Sequence, residues 1–415
     1  LLTGGGKMTE IKNCRICNST DLTQVLTLGD QALTGVFPHT IAETVSHGSL
    51  NLVWCRDCGL LQMQQSYPLG EMYGDNYGYR SGLNSSMVDH LTNKIHMLEK
   101  LVGLTEQNMV VDIGSNDATS LKAYTVKCTK LGIDPTGKKF REYYTDDIDL
   151  IADFFTADKF REMFSGFYPK IITSIAMFYD LEHPTTFVKD IESILADDGI
   201  WHLEQSYMLS MLRSNAYDTV CHEHLEFYSF GVIKKLIDDN GMRVIDVQMN
   251  AINGGSFAIT ACKEDAQYKS NTPVINWMLR QENNLRLNTP TPYRNFEERT
   301  YNHRENLMDL LESLVADGKT IFGYGASTKG NVLLQFCGIT TKLIPCIADV
   351  NPDKFGCYTP GTLIPIISEE EAKMLNPDYF LVFPWHFKHN ILAREKEYLK
   401  NGGKFIFPLP EIEIV

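Results

Sequence analysis

The segment Met109-Val-Val-Asp-Ile-Gly-Ser-Asn-Asp117 constrains the fold more than any other stretch of this chain. Five residues suited to a buried strand enter a glycine turn, and the pattern from Thr119 onward is helical. Strand and helix signals keep alternating over 108–260, with further strands expected at 130–134, 170–176 and 199–204. Such alternation predicts an α/β fold with a parallel sheet covered by helices. Ligands of that fold sit beyond the carboxyl ends of the strands, so the residues there become the candidates. Asp112, Gly114 and Asn116 make the first turn, and Asp134-Pro135 close the second strand, where an acid can accept ribose hydroxyls. Asp153, Phe154 and Phe155 fall at the next strand end, suited to an adenine ring, and Met177 at the one after. The turn lacks the Gly-x-Gly-x-x-Gly spacing that brings a helix N-terminus onto a pyrophosphate. S-adenosylmethionine, which has no pyrophosphate, therefore suits it better than NAD.

At 415 residues the chain exceeds one ordinary core. A second strand, glycine turn and helix at 319–331 follows a stretch over 283–300, rich in Asn, Pro and Arg, that reads as a hinge. Three units are expected: a small module over 10–70, a core with the first glycine turn over 71–295, and a second Rossmann-like domain over 296–415. Lys329, Asn331, Lys354 and His386 lie near strand ends of the last unit, as polar or cationic groups for an anionic substrate. The seven residues before Met8 show no leader pattern and read as an appended stretch, with Met8 the expected start.

Cys14-Arg-Ile-Cys17 and Cys55-Arg-Asp-Cys58 put two pairs of thiols on tight turns. Four sulfurs so spaced match structural, tetrahedral zinc. The metal would replace the core that so polar and broken a segment cannot bury for itself. A redox pair and a nucleic-acid-binding ribbon are the rival readings. A net charge of −14 works against a polyanion, so no nucleic-acid partner is expected. No apolar run approaches the length of a membrane span, so no membrane partner is expected either. Unpaired and spaced cysteines point to a reducing compartment, the cytoplasm.

Cys221-His-Glu-His-Leu-Glu-Phe227 sets two imidazoles and a carboxylate on consecutive residues. Such a cluster serves proton transfer; a metal site or a polar network at a domain seam are the alternatives. In an extended chain His222 and His224 share one face and Glu223 the other, so Glu223 meets His224 only across a turn. Tyr77, Tyr79 and Arg80 precede a helical pattern over 87–102, as a packed loop or as a lid with Arg80 facing an anion. Phe178 is a candidate wall, and His202 and Glu204 are candidate polar contacts at the fifth strand end.

Taken in order, these motifs resemble those of the nucleotide-sugar C-methyltransferases, best known as NDP-hexose C-3 methyltransferases. The resemblance covers 10–412 and rests on the paired Cys-x-x-Cys knuckles, Asp112–Asp117, Gly132-Ile-Asp134-Pro135, His222-Glu-His224, Gly254-Gly-Ser256 and Gly325-Ala326 with Lys329-Gly-Asn331. It implies a zinc module, a class I methyltransferase core using S-adenosylmethionine, and a C-terminal Rossmann-like domain. The substrate it implies is a nucleoside-diphosphate-linked 4-keto-6-deoxy sugar, methylated at C-3 between the two larger units. It makes His224 the general base, Glu223 its partner or a substrate contact, and Asp134 the ribose ligand. Three positions depart from the family: Cys221 replaces a Tyr, Asn253 a His and Ala118 a Gly.

A ring C–H becomes acidic only beside a carbonyl that can take up the charge as an enolate, so a base, a donor to the ketone oxygen and an electrophilic methyl must converge. Two other classes remain open on the sequence. One is an NAD-dependent nucleotide-sugar oxidoreductase or epimerase, which co-purified NAD would reveal. The other is a non-catalytic zinc-ribbon protein with a decayed core, which would bind a macromolecule but no cofactor.

Overall fold

The computed structural model describes residues 8–67 and 79–415; the stretch before Met8 and the wall candidate Tyr77 lie outside the described residues. Met109–Ile113, buried at all five positions, is an interior strand of a seven-stranded sheet. The order across it is Met242–Asn250, Ser256–Lys263, Ile200–Ser206, Ile171–Ile175, Met109–Ile113, Thr129–Ile133 and Ile148–Ile151. Ser256–Lys263 runs antiparallel to both neighbours, and the other adjacent pairs are parallel. Strand order reverses between Met109–Ile113 and Ile171–Ile175, which opens a crevice at their carboxyl ends.

The second glycine turn leads to the same construction. Ile366–Ser368, Ile347–Asp349, Ile321–Tyr324, Tyr379–Val382 and Lys404–Phe407 form a parallel sheet, finished by antiparallel Glu413–Ile414. The two larger units share one device. Asp134 accepts the Asn116 N–H at 2.8 Å and the Thr136 N–H at 2.7 Å. Asp349 accepts the Ala326 and Asn351 N–H groups, each at 2.7 Å. In both, an acid at the second strand end accepts one amide of the glycine turn and one from the turn that follows its own strand.

Two expectations need correction. The N-terminal segment is not a core-less ribbon. Leu22–Ala32 and His47–Cys55 pair antiparallel, and Leu26, Leu28, Leu50, Leu52 and Trp54 are buried. Register shifts near Gln24 and between Thr27 and Asp30 break the alternation that would have marked the first strand. This sheet continues through Leu61–Met63 to Glu226–Phe227, so a strand from the core segment belongs to the zinc-module sheet. The hinge over 283–300 is also mostly helical. Thr272–Asn284 and Thr291–Ala316 flank a short turn, and the boundary expected at 295–296 falls inside the second helix. A proline in each first turn starts these helices rather than breaking them.

Candidate active site

A cavity of about 380 Å³ lies at the crevice of the larger sheet. Its wall takes in Asp112, Gly114, Asn116, Asp134, Pro135, Phe154, Phe155 and Met177 from the first set of strand ends. Gly114 has φ +77°, and a Cβ there would press on Met177 Cγ at 3.0 Å, so the turn needs glycine twice over. Asn116, Ala118, Ala176 and Asn253 also hold positive φ, at 49°, 59°, 55° and 54°. Strained backbone gathered around one cavity is characteristic of functional sites. Burial, relieved by a 2.6 Å hydrogen bond from Thr173 and reinforced by the charge of Asp134, pushes Asp112 up to about 7.

Cys221, Glu223 and His224 line the same cavity. The turn that the 221–224 segment required is present: the His224 N–H donates to the Cys221 carbonyl at 3.1 Å. His222 is thereby turned the other way, with Nε2 3.2 Å from the Gly48 carbonyl and its ring against Tyr67. It holds the N-terminal module and does not face the cavity. His224 Nδ1 lies 2.7 Å from the Thr219 carbonyl, which can only accept, so Nδ1 carries the proton. Nε2 is then the basic atom. Burial and the nearby Lys329 charge, against the Thr219 hydrogen bond, lower this imidazole to about 4. Burial also raises the Glu223 carboxyl, partly offset by hydrogen bonds from its own backbone and the Cys221 thiol, and its Oε2 has no partner among the described residues.

Tyr79, Glu204, Asn253 and Lys329 complete the expected set on the wall. Lys329 Nζ donates to the Asn253 carbonyl at 3.3 Å, at the departure from the family pattern. Glu204 is already occupied. Lys94 Nζ and His90 Nε2 each lie 2.7 Å from it, and Asn250 Nδ2 donates at 2.9 Å. Other candidates stand elsewhere. Arg80 pairs with Asp117 and donates to the Tyr143 hydroxyl. Asp153 is exposed and pairs with Lys159 at 2.6 Å. Phe178 is fully buried among Phe187, Trp201 and Tyr228. His202 is buried against Thr260, Asn331 donates to the Thr34 carbonyl, and Lys354 donates to the Ala326 carbonyl at 2.6 Å. His386 packs against Trp385 and Phe387, off the wall.

The sequence reading missed Thr219, which sets the tautomer, and Tyr179, whose ring meets His224 edge-on at 4.5 Å. A carbonyl acts through its backbone, so residue type gave no sign of Thr219. Tyr179 was findable, being two residues past Met177 at a strand end.

Cys14, Cys17, Cys55 and Cys58 bring their sulfurs within 4.8 Å of one another, with two pairs at 3.5 Å. That is the spacing of four thiolates around one zinc ion, and it leaves no open ligand position.

Known proteins can now be set beside this geometry. A family profile described as the C-methyltransferase C-terminal domain matches residues 251–410, and a zinc binding domain profile matches 14–73. The C-methyltransferase NovU of Streptomyces niveus is 30% identical over 412 residues, covering 98% of this chain and 97% of its own. Solved structures align more weakly. An S-adenosylmethionine-dependent methyltransferase from Clostridium acetobutylicum covers 42% of this chain and 92% of its own, at 9% identity and TM-score 0.34. Magnesium protoporphyrin IX methyltransferase from Synechocystis covers 46% and 91%, at 15% and 0.32. With the profile and NovU matches, the sheet order, glycine turn and cysteine cluster are those of an S-adenosylmethionine-dependent methyltransferase with a structural zinc module. The chain belongs to the C-methyltransferase family.

Proposed function

We propose that this enzyme methylates C-3 of a nucleoside-diphosphate-linked 4-keto-6-deoxy sugar, with His224 as the base. One observation carries the reading: the Thr219 carbonyl holds the Nδ1 proton and leaves Nε2 unprotonated, on a residue that lines the cavity that also contains the glycine turn. A neutral imidazole there removes the C-3 proton, and the ketone at C-4 takes up the charge. Glu223, its carboxyl raised by burial and its Oε2 without a partner among the described residues, is the donor to the forming enolate oxygen in its protonated form. S-adenosylmethionine, when bound, supplies the electrophilic methyl. Asp134, Pro135, Phe154 and Phe155 hold it, and Lys329 meets an anionic part of the acceptor. A base and a methyl donor on opposite faces of the sugar ring would give inversion at C-3. The enzyme works in the cytoplasm, where a four-thiolate zinc site stays reduced.

The test is an incubation with S-adenosylmethionine and a panel of 4-keto-6-deoxy sugar nucleotides in deuterated water, read by mass spectrometry and proton NMR. The expected product is one methyl heavier and has lost its C-3 proton signal. A product methylated on oxygen, or turnover of an acceptor lacking the ketone, refutes the enolate reading.

A further inference from the structure

The first zinc knuckle carries a side chain that neither metal binding nor the reaction accounts for. The side chain of Arg15, between Cys14 and Cys17, is only 2% exposed. Its Nη1 donates to the Met63 carbonyl at 2.6 Å, and its Nη2 to the Gln65 carbonyl at 3.1 Å and Ser66 Oγ at 2.8 Å. Its Nε faces two carboxylates, Glu182 at 3.4 Å and Glu226 at 3.7 Å. A planar guanidinium with five fixed donors imposes geometry on all it touches.

Those carboxylates stand on the two segments that hold His224. Glu182 lies in the loop after Ile171–Ile175, borders the cavity, and follows Tyr179, whose ring packs on His224. Glu226 lies two residues beyond His224, paired in register with Gln62. Backbone bonds tie the same three pieces together. The Leu225 N–H donates to the Tyr179 carbonyl and the Met63 N–H to the Leu225 carbonyl, both at 2.8 Å. One buried cation thus spans the knuckle, the cavity loop and the strand that follows the catalytic turn. We propose that Arg15 is a positioning residue through which the zinc module sets the orientation of His224. The inference rests on the proposed role of His224.

The experiment compares Arg15→Met, Arg15→Lys and Glu226→Gln in the full chain. Four quantities are read: zinc content, S-adenosylmethionine affinity by calorimetry, the His224 ring ¹⁵N resonances (assigned by their loss in His224→Ala), and exchange of the acceptor's C-3 hydrogen. Arg15→Met is expected to keep its zinc and to bind the cofactor within about twofold. Exchange and kcat should fall by roughly 10- to 100-fold with KM little moved, the scale on which a small misplacement of a catalytic group acts. Its His224 resonances should shift, and Arg15→Lys should regain much of the loss. Unchanged resonances and exchange in folded Arg15→Met overturn the proposal, as does loss of zinc and cofactor binding in step with exchange. If Arg15→Met does not fold, Glu226→Gln decides by the same criteria. The resonances need no acceptor, so a wild-type enzyme inert toward every keto sugar would refute the reaction while they still judge Arg15.

Discussion

His224 Nδ1–H donates a hydrogen bond to the Thr219 carbonyl, and burial together with Lys329 lowers the ring to about 4. This has a consequence for the rate. An unperturbed imidazole would lose its basic form as pH falls through 6.5, whereas a lowered one keeps it. The acid limb of kcat/KM in the free enzyme is therefore expected well below 6.5, approaching 4. His224→Ala is expected to bind S-adenosylmethionine with unchanged affinity while C-3 hydrogen exchange drops by a factor on the order of 10²–10⁴, the usual contribution of a general base. An acid limb at 6.5, or exchange surviving in the alanine variant, would remove His224 from the role. At this scale the sequence was informative about residue type and silent about orientation. It marked Cys221, Glu223 and His224, which meet on one wall, but also offered His222 as a substrate contact, although the turn sends that ring to Gly48.

Helix Ser85–Val102 borders the cavity with Met87 and Leu91 on the wall, and Glu204 ties it to the sheet through His90 and Lys94. Burial alone would raise this carboxyl, but His90 and Lys94 outweigh it and bring it to about 2, against an ordinary 4.5. A carboxyl depressed on folding stabilises the native state above its unfolded pKa, and that stability is lost as pH falls through the folded value. About 2.5 units correspond to on the order of 3 kcal/mol. Glu204→Gln is thus expected to cost about that much at neutral pH by chemical denaturation. The gap from wild type should narrow below pH 4.5 and close near pH 2. A gap that does not change with pH would mean that the carboxylate is not the anchor. Strands Met109–Ile113, Thr129–Ile133 and Ile171–Ile175 were legible at this scale because each is a short, largely apolar run leading into a Gly, Asp or Met turn. Strand Leu22–Ala32 was not, because its register shifts put polar residues where alternation expects apolar ones. Glu204 itself read as a substrate contact, since strand-end position says nothing of a helix arriving from over a hundred residues earlier.

Across the whole molecule the N-terminal module acts as a clamp between the larger units. Trp54 packs on Tyr293 with ring centroids 5.1 Å apart, and the Tyr301 hydroxyl donates to the Thr27 carbonyl at 2.9 Å. The Ala32 N–H donates to Gln335 at 2.7 Å, and the Tyr358 N–H donates to the Pro38 carbonyl at 2.8 Å. One continuous core runs from Cys14 and Leu26 through Phe178 and Leu311 to Phe407. The spacing of the cysteines announced the metal, but contacts among residues hundreds of positions apart leave no local pattern to read. Without zinc, four sulfurs packed within 4.8 Å lose the ion that draws them together, and the binding free energy that contributes to folding goes with it. In a separable module that loss would stay local. Here the module's sheet includes Glu226–Phe227, and its loops carry the contacts to both larger units. Chelation under reducing conditions is therefore expected to lower the melting temperature of the entire chain by on the order of 10 °C in one cooperative transition. Cofactor binding and C-3 hydrogen exchange should disappear together with it. Calorimetry decides the point: an early transition of the N-terminal segment, followed by unfolding of the rest at its original temperature, would show that the clamp does not couple the units.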